Sequence, residues 1–122
     1  MSRILVVDDD KSFREMLRET LEQAGHEVEE AANGKLALEL HRRKPCQMVI
    51  TDLIMPVKEG IETIVELRRL DPSVKIIAMS GGGVTKPGNN LAIAEKLGAS
   101  MTLTKPFMQE ELLKAVSKVL AT

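Results

Sequence analysis

The chain has no tryptophan and no tyrosine, and two phenylalanines, Phe13 and Phe107, are its whole aromatic complement in 122 residues. Proteins that bind single-stranded nucleic acid stack bases on aromatic side chains, and two rings offer no such platform. Charge of one sign is also missing. Seventeen basic and 18 acidic residues leave a formal net charge of −1, so no basic field draws nucleic acid or anionic membrane to the surface. The single cysteine, Cys46, forms no internal disulfide, which suits a reducing compartment; it reads as a small strand-edge residue. No apolar run approaches the ~20 residues of a membrane span, and Ile4 to Val7 is too short for the apolar region of a signal peptide. These absences predict a cytoplasmic, soluble protein without direct membrane or nucleic-acid contact.

What is present is an alternation. The length suits one domain, residues 1–122, with one shared core. Apolar runs at Ile4 to Val7, Met48 to Thr51, Val74 to Met79 and Ser100 to Thr104 read as strands, with a weaker one around Glu27 to Ala31. Between them, Phe13, Met16, Leu17, Leu21 and Ala24 fall at helical spacing, and Gly25 closes that helix. Asn33 caps a second helix through Leu36, Leu40 and Arg43, which stops before Pro45. Pro56 and Gly60 bracket a loop; Ile61, Ile64, Val65 and Leu67 mark a third helix ending near Asp71-Pro72. Gly81 to Gly88 reads as a glycine-rich loop. Leu91, Ile93, Ala94 and Leu97 then form a short helix ending at Gly98, and Leu112, Leu113, Val116, Val119 and Leu120 a final one. Strands alternating with helices imply right-handed βαβ units and a parallel sheet covered on both faces. The expectation is a (βα)5, flavodoxin-like, doubly wound α/β/α sandwich with strand order 2-1-3-4-5. Its ligand crevice lies beyond the carboxyl ends of strands one and three, where the winding reverses.

Four of the strands stop at residues suited to phosphate chemistry: Asp8-Asp9-Asp10, Asp52, Ser80 and Lys105. Carboxylates about 4 Å apart repel by about 1 kcal/mol per pair in water and about 4 at an effective dielectric near 20, so something positive must hold such a group together. An oxygen-only donor set suits Mg2+, which keeps several waters and bridges carboxylates to phosphate. A carboxylate can itself attack phosphorus to give an aspartyl phosphate, provided that cations neutralise the phosphoryl oxygens. Lys105 adds a second positive charge, and the Ser80 hydroxyl a hydrogen-bond donor.

These residues resemble the receiver domain of two-component response regulators. The matching pieces are Ile4-Leu5-Val6-Val7-Asp8-Asp9, Thr51-Asp52-Leu53-Ile54-Met55-Pro56 with Gly60 following, Met79-Ser80-Gly81 and Thr104-Lys105-Pro106-Phe107; in this order, each after a strand, they cover the whole chain. The resemblance implies that Asp52 accepts a phosphoryl group from a phosphohistidine on a sensor histidine kinase or a histidine phosphotransfer protein. Asp9 and Asp52, with the Ile54 carbonyl, would hold Mg2+, and Asp8 would do so mainly through water. Lys105 and Ser80 would read the phosphoryl group, and the Lys105-Pro106 bond would be cis. Such a protein is a signalling phosphoacceptor, not a turnover enzyme. It acts through phosphorylation-dependent protein contacts, as a monomer or a weak phosphorylation-linked dimer, and the helix-one face with Arg14 and Arg18 is a plausible kinase-docking surface.

The sequence also departs from the family pattern. Thr102 stands three residues before Lys105, where many receivers carry a Tyr or Phe that turns inward on activation. The loop after Ser80 is long and glycine-rich, which points to that loop and the start of helix four as the switch. Ile54 and Gly82, at the positions that govern acyl-phosphate lifetime, cannot orient an attacking water.

Simpler roles compete for single residues. Asp10 or Ser12 can serve only as a helix cap, His26 and His41 read as surface residues, and the seven methionines as core filler. The rival function is a haloacid-dehalogenase-type phosphatase with Asp8 as nucleophile, Asp10 as acid/base, Ser80 as second motif and Lys105 as third. It leaves Asp52 unexplained and finds its final acidic pair, Glu110-Glu111, in a helix. No register of the glycine-rich loop fits a P-loop.

Overall fold

A computed structural model describes residues 2–53, 57–81 and 94–122, apart from the side chains of residues 57–59 and 81. The elements alternate along the chain: β1 (Arg3–Val7), α1 (Lys11–Gln23), β2 (Glu27–Ala31), α2 (Gly34–Arg43), β3 (Met48–Asp52), α3 (Val57–Leu70), β4 (Lys75–Gly81), the helical residues 94–97 as α4, β5 (Met101–Lys105) and α5 (Gln109–Leu120). The five strands form one parallel sheet in the order β2-β1-β3-β4-β5, which is the expected topology.

Strand periodicity sorts the apolar runs into two cores. Leu5, Val7, Val49, Ile76 and Ala78 face Ala37 of α2, Ile64 and Leu67 of α3, and Ala94 of α4. The alternate residues Ile4, Val6, Met48, Ile50, Ile77 and Met79 face Leu17 and Leu21 of α1 and Leu112 and Val116 of α5. Continuous apolar strands are what a parallel sheet needs when helices cover both faces. Each fully buried Leu or Ile is worth about 1.5–3 kcal/mol relative to exposure, so the central strands anchor the sandwich. Met48 and Met79 are core residues, whereas Met108 is exposed.

The helix ends follow local chemistry. Asp10 caps α1 and Asn33 caps α2, accepting from the amides of Phe13 (3.2 Å) and Leu36 (2.8 Å). Gly25 follows α1 at φ +94°, the left-handed conformation that a helix-ending residue adopts. At the edge strand β2, Arg3 pairs with Glu27 and Glu29, while Arg14 and Arg18 both reach Glu30 from α1.

Two expectations need correction. Gly60 does not end a loop, because α3 already begins at Val57 and Gly60 lies in its first turn. The reason is close approach: a Cβ there would sit 2.9 Å from the Asp52 carbonyl oxygen and 3.0 Å from Leu53 Cα. His41 is not a surface residue but buried. Its Nε2 lies 3.0 Å from Asp71 Oδ2, and its Nδ1 accepts the Cys46 amide at 3.0 Å. Gly34, Ala37 and His41 share the buried stripe of α2, and both ring nitrogens are satisfied there. His26 is half-buried, its Nδ1 accepting the Ser2 amide at 3.3 Å. Burial pushes the Cys46 thiol above its ordinary value, in keeping with a structural residue.

Candidate functional site

β1 connects to β2 on one side and lies beside β3 on the other, so the crevice at their carboxyl ends is the point where the winding reverses. The chain leaves β1 through three aspartates that take different places. The Asp8 amide donates to the Ala31 carbonyl at 3.1 Å, extending the β1–β2 pairing by one residue. Its side chain is wholly buried, and Oδ1 accepts the Asp10 amide at 2.8 Å. Asp9 is exposed, and Asp10 is the cap of α1.

Asp52 is the last residue of β3 and is buried. The Leu53 amide donates to the Met79 carbonyl at 2.8 Å, holding the backbone just past Asp52 against β4. One carboxylate oxygen each from Asp8, Asp9 and Asp52 lies within 4.8 Å of the others. This is an oxygen-only donor set that can hold a metal ion, and Mg2+ favours such ligands. Ser80, buried in β4, pairs in register with Thr104, next to the Gly81–Lys105 pair.

Lys105 ends β5, and its ammonium donates to Asp8 Oδ2 at 2.8 Å and to Asp52 Oδ2 at 3.2 Å. It also stands 4.1 Å over the centroid of the Phe13 ring. That ring meets Phe107 edge-on, with centroids 5.9 Å apart and planes at 75°. The Lys105-Pro106 bond is cis.

Among the described residues one ammonium thus serves the two buried carboxylates of Asp8 and Asp52. Burial pushes the Asp8 carboxyl above its ordinary value, outweighing the Lys105 hydrogen bond and the Asp10 amide, which act the other way. Burial also works against the Lys105 charge, but the Asp8 hydrogen bond and the charges of Asp52 and Asp8 overcome it and hold the ammonium above its usual range. An added cation would relieve the crowding.

Asp8, Asp9, Asp52 and Lys105 therefore meet in one crevice, with Ser80 at the neighbouring strand end. Ile54 and Gly82, and the loop and helix start named as a switch, lie outside the described residues. Thr102 is half-buried on β5 beside Ala78. Arg14 and Arg18 are engaged with Glu30, and Arg14 Nη1 also donates to the Asp8 carbonyl at 2.7 Å. Sequence reasoning took Phe13 for a core residue of α1 and missed its place beneath Lys105; helical spacing alone carries no hint of a cation 92 residues away.

The response regulator receiver domain family matches residues 4–117. "Protein CcdB" of Bacillus subtilis is 36% identical over 121 residues, covering 98% of each chain. The crystallised chemotaxis protein CheY4 of Vibrio cholerae superposes with a TM-score of 0.87 at 35% identity, again covering 98% of each. NtrX of Brucella abortus gives a TM-score of 0.91 at 24% identity, a likeness of fold alone, and the present chain spans 27% of that longer one. Among the described residues no helix is long and apolar enough to cross a membrane. On the strand order, the crevice and these relatives together, the chain belongs to the response regulator receiver domain family.

Proposed function

We propose that residues 1–122 form one receiver domain that accepts a phosphoryl group on Asp52 and signals through protein contacts that depend on it. The observation that carries this reading is the Lys105 ammonium bridging Asp8 and Asp52, with Asp9 the third carboxylate gathered at the switch point of the sheet. The donor is a phosphohistidine of a sensor histidine kinase or a histidine phosphotransfer protein. An Asp52 carboxylate oxygen forms a bond to phosphorus as the P–N bond to the donor imidazole breaks; the electron pair stays on that nitrogen, which takes a proton from solvent. The product is an acyl phosphate.

Asp9 and Asp52, with the Ile54 carbonyl and with Asp8 through water, would hold Mg2+, which would supply positive charge to the phosphoryl oxygens. Lys105 is the protein's own cation for the same oxygens, and its raised affinity for the proton keeps it charged throughout the neutral range. The buried Ser80 hydroxyl donates to the bound phosphoryl group. Because Asp52 is both acceptor and product, the chain catalyses only its own phosphorylation and dephosphorylation. The reading places it in the cytoplasm, where histidine kinases present their phosphohistidine.

The phosphatase reading needs Asp10 as an acid/base, yet its carboxylate accepts the Phe13 amide as the cap of α1. Glu111 is likewise occupied, accepting the Met108 amide at 3.2 Å at the start of α5. The test is intact mass after addition of a small acyl-phosphate donor, with and without Mg2+, on the wild type, Asp52→Asn and Asp8→Asn. A single phosphoryl adduct that requires Mg2+ and is lost in Asp52→Asn is expected. Donor hydrolysis without an adduct, surviving Asp52→Asn and vanishing in Asp8→Asn, would establish the phosphatase instead; no adduct and no hydrolysis in any sample would leave a phosphorylation-independent binder.

A further inference from the structure

The Lys105 ammonium has three N–H donors. Two are directed at Asp8 Oδ2 and Asp52 Oδ2, and the same nitrogen lies 4.1 Å over the Phe13 ring. A cation within about 6 Å of a ring centroid is attracted by the negative face of the π-system, more strongly where water is excluded. Lys105 is only one-fifth exposed, and the Phe13 ring is itself fixed by its edge-on contact with Phe107, two residues beyond Lys105. The ring and the cation that it faces thus come from α1 and the end of β5, and a residue of the Lys105 segment holds the ring in place.

The two carboxylate contacts cannot both persist through the proposed reaction. In that reading Asp52 would become an acyl phosphate, and the ammonium would turn from its carboxylate oxygen to the phosphoryl oxygens. An aromatic face is indifferent to which anion lies opposite. We propose that Phe13 is a positioning residue for phosphoryl acceptance: its ring holds the Lys105 ammonium at the crevice while the anions that Lys105 serves are exchanged. This inference rests on the reading of Asp52 and Lys105 given above.

The test replaces Phe13 with 4-fluoro-, 3,5-difluoro- and 3,4,5-trifluorophenylalanine, which keep the ring's shape while draining its negative face. Each full-length protein is assayed for the second-order rate of phosphorylation by a small acyl-phosphate donor at saturating Mg2+, alongside the 15Nζ resonance of Lys105. Progressive slowing with fluorine number is expected, reaching roughly 3- to 30-fold at the trifluoro ring, together with a graded movement of the Lys105 resonance. In a Lys105→Met background the series should be flat, because Phe13 acts only through that ammonium. A flat series with Lys105 present, or equal slowing with and without Lys105, overturns the inference while leaving the receiver reading intact. An undiminished rate in Lys105→Met would count instead against the role of Lys105 itself.

Discussion

Lys105 Nζ stands 2.8 Å from Oδ2 of Asp8, a carboxylate with no solvent exposure, and even this contact leaves the Asp8 carboxyl above its ordinary value because burial dominates. A carboxyl whose folded value is raised contributes stability that is fully present below its unfolded value, near 3.9, and is lost as pH rises through the folded value. At neutral pH the Asp8 charge therefore weakens the fold. Asp8→Asn should raise the melting temperature of the metal-free protein at pH 7, and the gain should disappear below about pH 4. Mg2+ should stabilise the wild type, by about 2.7 kcal/mol at a hundredfold excess over its dissociation constant, and stabilise Asp8→Asn less. Thermal melts across pH, with Mg2+ or a chelator, check both statements.

At the opposite end of the sheet, His41 links α2 to the start of β3 and to the turn after α3. His41→Ala would leave the buried Cys46 amide without its acceptor and open a cavity, costing about 2–4 kcal/mol. Urea unfolding should register that loss while the rate of phosphoryl acceptance stays within about twofold of wild type, as expected for a stability effect remote from the chemistry.

Asp71, the partner of His41, has its carboxyl held below the ordinary range, first by the Ser73 hydroxyl and, against burial, also by His41. A depressed carboxyl contributes stability that is present above its unfolded value and lost as pH falls through the folded one. Asp71→Asn should therefore be less stable than the wild type at pH 7, and the difference should close as pH falls below about 4. A pH series of unfolding midpoints measures it.

Gly60 packs against the backbone that carries Asp52. Its Cβ-to-be meets the Asp52 carbonyl oxygen at 2.9 Å and Leu53 Cα at 3.0 Å, and backbone atoms do not step aside as a side chain would. Gly60→Ala should cost about 1–3 kcal/mol and slow phosphoryl acceptance by displacing Asp52, so it should combine lost stability with lost rate. A variant that loses stability but phosphorylates normally would show that α3 yields instead of β3.

The chain's sequence made the site's skeleton legible because four strand ends each carry a residue of the required chemistry, and a parallel sheet brings such ends to one edge. Alternation implied the parallel sheet covered on both faces, and the order 2-1-3-4-5 is the one expected of a flavodoxin-like chain. What escaped were relations that depend on packing distance. Gly60 looks like a turn residue in sequence, but its lack of a side chain is used for contact between α3 and β3. His41 sits among Arg42, Arg43 and Lys44, whose charges suggest a solvated helix end; the three-and-four spacing from Gly34 and Ala37 was the better guide. Phe13 follows the helical period of the core and yet faces a cation, because the apolar stripe of α1 runs up to the crevice.

The guanidinium groups of Arg3, Arg14 and Arg18 lock the glutamates of β2 in place, and a strand edge studded with such charges resists the addition of another chain's strand. On that flank the sheet is closed to growth by backbone pairing.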